Sequence, residues 1–149
     1  MLRLGDSIRA KSELPGRLRE LVVLTTSAML GARVEFDFHV PFGRNEGLSD
    51  ALIEAIGEGR APPFADEAER IVHEANVQLL RTATLTPATR EEAIEALGYR
   101  GLMQLIAVVT LYVVTAYTTN VARVKLAEDF SADPGRLKNF FAGKPVGQP

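Results

Sequence analysis

Apolar side chains recur at every third or fourth position along most of the chain, a spacing typical of helices that bury one face. The pattern predicts about six helices, which begin near residues 17, 33, 50, 64, 87 and 99. Glycine is placed to end several of them, at Gly31, Gly47 and Gly98, while Thr86-Pro87 is a typical helix start. The predicted fold class is therefore all-α, a compact bundle of helices around one core.

Residues 99–124 are the most hydrophobic stretch, and their β-branched runs would also suit a strand. The stretch has no turn signal and is too long for a strand, so we predict a helix. Its nearly apolar centre, 102–117, includes Gln104, Thr110 and Thr115 and falls short of the roughly 20 residues that a membrane span needs. We therefore predict no membrane contact. A helix that is apolar on all sides must be buried on all sides, which predicts a homo-oligomer, with a trimer or a hexamer expected.

The chain has 149 residues, which suits a single domain at 1–149. Within it we expect a helical core at 17–124, an N-terminal arm at 1–16 and a C-terminal tail at 125–149. Three phenylalanines of the tail are expected to dock on the core: Phe130, Phe140 and Phe141.

The amino-acid composition excludes several classes of function. A net charge of -2 gives no sign of a nucleic-acid surface, so no nucleic-acid partner is expected. Cysteine is absent, which excludes disulfides, thiolate metal ligands and thiol redox cycles. The N-terminal residues show neither the apolar segment nor the small-residue cleavage site of a secretory signal, so the expected location is cytoplasmic.

Glu35 and His39 are the pair of titratable residues that the sequence places together. Four positions apart on a helix, they lie one turn above the other on one face, with Ala28, Ala32 and Gly43 beside them. A carboxylate near an imidazole fixes its tautomer and raises its basicity, and the small neighbours would leave room for a ligand. The alternative is a surface ion pair worth about 0.3 kcal/mol, and the spacing does not distinguish the two.

Other polar residues carry weaker signals. Pro41 is expected to bend or divide the helix just after His39, or else to begin a new helical segment. His73 lies off the apolar stripe of its helix and is interpreted as a solvent-exposed histidine. Tyr112 and Asn120 lie on the hydrophobic last helix, where they would need partners, either around a pocket or in structural hydrogen bonds.

Several short motifs, taken in order, resemble the carboxymuconolactone decarboxylase family, which also includes alkylhydroperoxidase-D-like proteins. The resemblance covers about residues 17–124. The motifs are Arg19-Glu20-Leu21, Glu35 followed by His39, Gly47-Leu48-Ser49, Phe64-Ala65-Asp66-Glu67, and Leu111-Tyr112 to Asn120.

The peroxidase branch of this family has a Cys-x-x-Cys pair, which would fall at Ala32 and Glu35 of this chain. The histidine of that branch matches His39, and its proton-relay glutamate matches Glu20. Peroxide reduction needs a thiolate nucleophile, and neither alanine nor glutamate supplies one. The resemblance therefore keeps the histidine and glutamate but excludes a thiol peroxidase.

The decarboxylase branch implies a different activity, the loss of carbon dioxide from a carboxylated lactone followed by protonation of the carbanion. In that hypothesis His39 donates the proton, Glu35 orients His39, and Glu20 is a second relay carboxylate. No cofactor is required. The substrate is a small molecule whose carboxylate pairs with Arg44 or Arg33, and Tyr112 also contacts it. Because nearby carboxylates repel an anionic substrate, a neutral or hydrophobic substrate is the alternative.

Two further hypotheses stay open. One is a non-catalytic oligomeric protein that binds a small molecule on the same fold. The other, ranked last, is a metal site at Glu35 and His39 joined by Glu20, although nothing in the sequence resembles a dedicated metal motif.

Overall fold

The computed structural model describes residues 14–126. Its helices are α1 (Gly16–Met29), α2 (Arg33–Asn45), α3 (Asp50–Gly57), α4 (Glu67–Thr82) and α5 (Pro87–Val121). No strand occurs in this part of the chain, which confirms the all-α class. The described residues hold five helices rather than six, because the last two predicted helices are joined in α5. Gly98 is non-helical inside α5, at φ 69° and ψ 166°.

Most of the predicted N-terminal arm and almost all of the predicted C-terminal tail lie outside the described residues. The expected docking residues Phe130, Phe140 and Phe141 are among them. The division into core, arm and tail therefore stays a prediction.

The first helix, α1, is the centre of the bundle. It packs against all four of the other helices, and every residue at 20–27 is buried. The sequence pattern predicted a helix that buries one face, but Leu21, Val22, Val23 and Leu24, which lie on successive sides of the helix, are all fully buried. The difference has a simple cause, since a helix with neighbours on every side has no solvent-facing stripe.

The ends of α1 and α2 are fixed by glycine. Gly31 has a φ of +63°, which L side chains rarely adopt, and the N–H of Ala32 donates to the carbonyl of Ser27 at 2.8 Å. Gly47, with a φ of +97°, ends α2 in the same way. The turn at Gly31 places Glu35 in the first turn of α2, as predicted.

Two helix boundaries differ from the prediction. Pro41 lies inside α2, which continues to Asn45, so the proline does not divide the helix. The fourth helix begins at Glu67 rather than near Phe64, because the carboxylate of Asp66 accepts the backbone N–H of Glu69 at 2.9 Å and caps the helix there.

Buried polar groups join α1 to α4. The Asn76 amide, fully buried, donates to the carbonyl of Val22 at 2.9 Å and lies 3.2 Å from the hydroxyl of Thr26. Glu69, 1% exposed, accepts from the guanidinium of Arg17 at 2.6 Å and thereby pairs its charge. These contacts specify how the two helices face each other, because a shift would leave buried polar groups unpaired.

The last helix, α5, packs one face on the core and leaves the other uncovered. Its exposed large apolar residues share one side and form what we call the α5 stripe: Tyr99, Met103, Val114, Tyr117 and Val121. The length and composition of α5 would allow it to cross a membrane, a property that the core helix of a soluble protein can share. Within the most apolar 18-residue segment of α5, 39% of the segment is buried in the fold.

Replacing Asn76 with alanine is expected to destabilise the protein by about 2 kcal/mol, because the substitution leaves the Thr26 hydroxyl without its partner and opens a small void. Chemical denaturation of both proteins measures the change. The matched control is Asn120→Ala, which removes one exposed hydrogen bond to the carbonyl of Leu30 and should cost about 1 kcal/mol or less. Equal losses for both variants would show that burial of the amide is unimportant.

Candidate active site

Three helices bring Glu20, His39 and Tyr112 together. Glu20 lies on α1, His39 on α2 and Tyr112 on α5. One carboxylate oxygen of Glu20 is 2.7 Å from Nδ1 of His39, and the Tyr112 hydroxyl is 3.0 Å from Nε2 of the same ring. We call this chain of hydrogen bonds the relay. All three side chains are buried, at 2%, 2% and 8% exposure.

The surroundings of the imidazole are aromatic. The rings of Phe38 and Phe42 lie with their centroids 5.4 and 5.5 Å from that of His39, and the Tyr112 ring meets it edge-on at 5.1 Å. Apolar walls lower the local dielectric, so each hydrogen bond of the relay is electrostatically stronger than it would be in water. The arrangement can move a proton between Glu20 and the Tyr112 hydroxyl through the histidine.

Glu35 does not hold the histidine, contrary to its predicted role. Within residues 14–126 the structure shows no hydrogen bond or ion pair for Glu35, and Glu20 occupies the Nδ1 position instead. Burial raises the pKa of the Glu35 carboxyl above its ordinary value, while the charge of His39 opposes this rise. The carboxylate that orients the ring is therefore Glu20, from the neighbouring helix.

Arg19 is a neighbour of the relay that the sequence analysis did not select as a site residue. Its Nε is 3.6 Å from the second carboxylate oxygen of Glu20. That Nε is buried and has no hydrogen-bond partner, and the side chain is 17% exposed. Glu20 thus lies between a guanidinium and an imidazole. The available signal was its place beside Glu20 in the Arg19-Glu20-Leu21 motif.

Arg33 and Arg44 lie on the other side of α2. Each already has a partner, since Arg33 pairs with Asp37 at 2.7 Å and Arg44 pairs with Asp50 at 2.6 Å. Both line an open groove of about 560 Å³ between α2 and α3, whose lining does not include His39. Helical geometry accounts for this, because positions six before and five after His39 are rotated well away from it. The structure does not bring these arginines to the relay.

His73 is half-buried, so its interpretation as a solvent-exposed residue was wrong. Its Nδ1 lies 3.1 Å from the Thr25 hydroxyl on α1, and the Phe64 ring packs against it. Burial lowers the pKa of this imidazole, and the nearby Glu74 opposes the change. Two other polar residues of the same helix, Glu69 and Asn76, are fully buried.

The described part of the chain contains no group of three or more histidine, aspartate or glutamate side chains arranged to hold a metal ion. In the relay, both ring nitrogens of His39 are already hydrogen-bonded to Glu20 and Tyr112. The proposed metal site at Glu35, His39 and Glu20 therefore has no supporting geometry among these residues.

The fold and the site together define an all-α protein with a buried glutamate–histidine–tyrosine chain of hydrogen bonds. The model of the carboxymuconolactone decarboxylase family matches residues 1–76, just over half of the chain. The chain therefore belongs to this family, which confirms the resemblance drawn from its motifs. No match was found among curated proteins or among solved structures.

Replacing Glu35 with glutamine should stabilise the protein at neutral pH. The raised pKa of Glu35 means that its carboxylate is less stable in the folded than in the unfolded chain. This penalty is present above the folded pKa and disappears below the unfolded pKa. Thermal unfolding should therefore show a higher Tm for the variant at pH 7 and no difference below about pH 4.

The exposed Glu95→Gln variant is the control and should leave the Tm unchanged at both values of pH. A lower Tm for Glu35→Gln at pH 7 would mean that the ionised side chain stabilises the fold.

Proposed function

We propose that this protein is a cofactor-independent acid–base enzyme of the carboxymuconolactone decarboxylase type. Its substrate would be a small lactone or a related intermediate of aromatic catabolism, carboxylated in the decarboxylase case. The observation that carries the proposal is the relay, in which both ring nitrogens of a buried histidine are hydrogen-bonded, one to a carboxylate and one to a phenol. Family membership supports the same kind of chemistry.

The roles that we propose differ from those expected from sequence. The Tyr112 hydroxyl, which is hydrogen-bonded to Nε2 of His39, is proposed as the group that gives the proton to substrate. Glu20 holds Nδ1 and exchanges the proton at the other end. His39 passes the proton between them. The substrate-binding role of Arg33 and Arg44 stays a prediction without contact to the relay.

In the decarboxylation step the bond between the ring carbon and its carboxylate breaks, and carbon dioxide leaves. The electron pair stays on the ring carbon and is delocalised towards the lactone carbonyl. The Tyr112 hydroxyl then gives its proton to carbon. One proton from solvent restores the phenol and returns the relay to its starting protonation, so the net consumption is one proton per turnover.

Substitutions in the relay should remove activity without unfolding the protein. For Tyr112→Phe and His39→Gln we expect losses of about 100-fold or more in kcat on carboxylated lactones, because general acid–base catalysis typically contributes about 10²–10⁴-fold. Release of carbon dioxide measures the rate, and circular dichroism checks the fold. Arg60→Gln, an exposed position remote from the relay, is the control.

Unchanged rates in both relay variants would end the proposal. The alternative, a non-catalytic binding protein, predicts that these lactones raise the Tm of the wild-type protein but are never turned over.

We also propose that the protein is a homo-oligomer, in which the α5 stripe contacts a second copy. No charged residue occurs at 101–122, and the stripe extends over about 33 Å of helix. An exposed apolar surface of this length is typical of an interaction site. A cytoplasmic location remains the accompanying prediction.

Replacing Val114, 45% exposed in the α5 stripe, with glutamate should dissociate the oligomer, since a charge in an apolar interface loses its solvation. Light scattering coupled to size-exclusion chromatography measures the mass. Glu91→Lys, exposed at the other end of α5, should keep the mass of the wild-type protein. A wild-type protein that elutes as a monomer would contradict this proposal.

A further inference from the structure

The open groove between α2 and α3, which we call the α2–α3 groove, lies on a side of α2 that is rotated well away from His39. Six positions of α2 line it at helical spacing, from Arg33 to Arg44, and together they extend over about 16 Å of helix. Its volume of about 560 Å³ suits a small molecule or a short run of side chains. Its floor is apolar and consists of Phe36, Val40, Pro41 and Ile53. Val40 and Pro41 are only half-buried, so an occupant would remove apolar surface from water.

The chain itself leads into this groove. The last helix, α5, ends at Val121, and Arg123 then adopts a left-handed conformation with a φ of 50°. The N–H of Val124 donates to the carbonyl of Thr119 at 3.0 Å, which closes the turn. Leu126, the last described residue, lines the groove. Because a left-handed arginine persists only where surrounding contacts hold it, the turn fixes the direction in which the chain leaves α5.

A second contact holds the end of α5 beside the start of α2. The side-chain amide of Asn120 donates to the carbonyl of Leu30 at 2.9 Å, next to the glycine turn that precedes α2. Residues 127–149 therefore continue from a point that already lies in the groove. A segment tethered so closely has an effective concentration in the millimolar range, so weak contacts are enough to dock it.

The charges around the groove do not favour a carboxylated ligand. Both of its arginines are already paired, Arg33 with Asp37 and Arg44 with Asp50. The exposed carboxylate of Glu54 on α3 has no ion pair among residues 14–126. The charge that the described lining leaves without a partner is therefore negative, and it would repel an anion.

The C-terminal segment 127–149 offers an apolar anchor and positive charges. Phe130 follows Leu126 by four residues, about 13 Å of extended chain, and so can reach most of the groove floor. A phenylalanine buries about 150–250 Å² of surface when it packs. Arg136 and Lys138 come shortly after it and carry the charge that Glu54 lacks as a partner.

We propose that the α2–α3 groove is the docking site of the chain's own C-terminal segment. Phe130 is the anchor on the apolar floor, and Arg136 and Lys138 pair with Glu54. The docked segment covers the outer face of α2 and so supports the helix that carries His39. This docking does not depend on the proposed function.

The natural absence of cysteine makes crosslinking a specific test, since only introduced thiols can pair. In the full-length protein Glu58→Cys, in the groove, is combined with Ser131→Cys. These thiols should form an intramolecular disulfide, which requires Cα atoms within about 7 Å. The control combines Ser131→Cys with Glu91→Cys, an exposed position outside the groove. Oxidation should be faster in the groove pair by on the order of tenfold or more, as measured by non-reducing electrophoresis and mass spectrometry.

Substitutions of Phe130 test the anchor. Phe130→Ser should slow the groove pair to the rate of the control pair and lower the Tm of the cysteine-free protein, whereas Phe130→Leu should preserve both. Equal rates in the two cysteine pairs would overturn the docking. A disulfide that joins two chains would also overturn it, because the groove would then hold the segment of a second copy. A groove crosslink that Phe130→Ser leaves unchanged would overturn the role of Phe130.

Discussion

The burial of a carboxylate in the second turn of the central helix is the constraint on which the rest of this structure depends. Glu20 is buried on α1, where an ionised side chain without partners would be strongly destabilising. The protein supplies Arg19 from the same helix and His39 from α2, so that both carboxylate oxygens face a partner. Since the histidine needs a partner of its own, Tyr112 ties α5 to the same point. The polar contacts of three helices therefore converge on one group.

The relay can be precise because its backbone is held by short-range interactions. The glycine turn at Gly31 fixes the start of α2 relative to α1, and two turns later the same helix delivers His39. Polar contacts between α1 and α4, at Asn76 and Glu69, fix the opposite side of α1. Catalytic groups that lie on rigid helices keep their geometry better than groups on loops.

The chain belongs to the carboxymuconolactone decarboxylase family but has no cysteine, so it lacks the thiols of the peroxidase branch that it resembles. The two positions where the resemblance places the peroxidase cysteines hold Ala32, which is buried, and Glu35, which carries an unpaired, half-buried carboxyl. Ala32 has no reactive side chain, and Glu35 places a carboxyl group one helical turn from His39. Without a thiol, proton transfer through the relay is the chemistry that we propose for this chain.

Sequence by itself determined the helical class, the helix starts at Ser49 and Thr86, the stop at Gly31 and the family, because each follows from local backbone preferences or from motifs in order. It also selected Glu20, His39 and Tyr112. The tertiary structure decided which carboxylate holds the histidine. Glu35 lies one turn away along the helix, but Glu20 lies across an interface between helices, and packing between distant segments has no periodic signature in the chain. For the same reason only the structure shows that His73 is half-buried against α1. The separation of Arg33 and Arg44 from His39, and the contact of Arg19 with Glu20, follow instead from positions on a single helix.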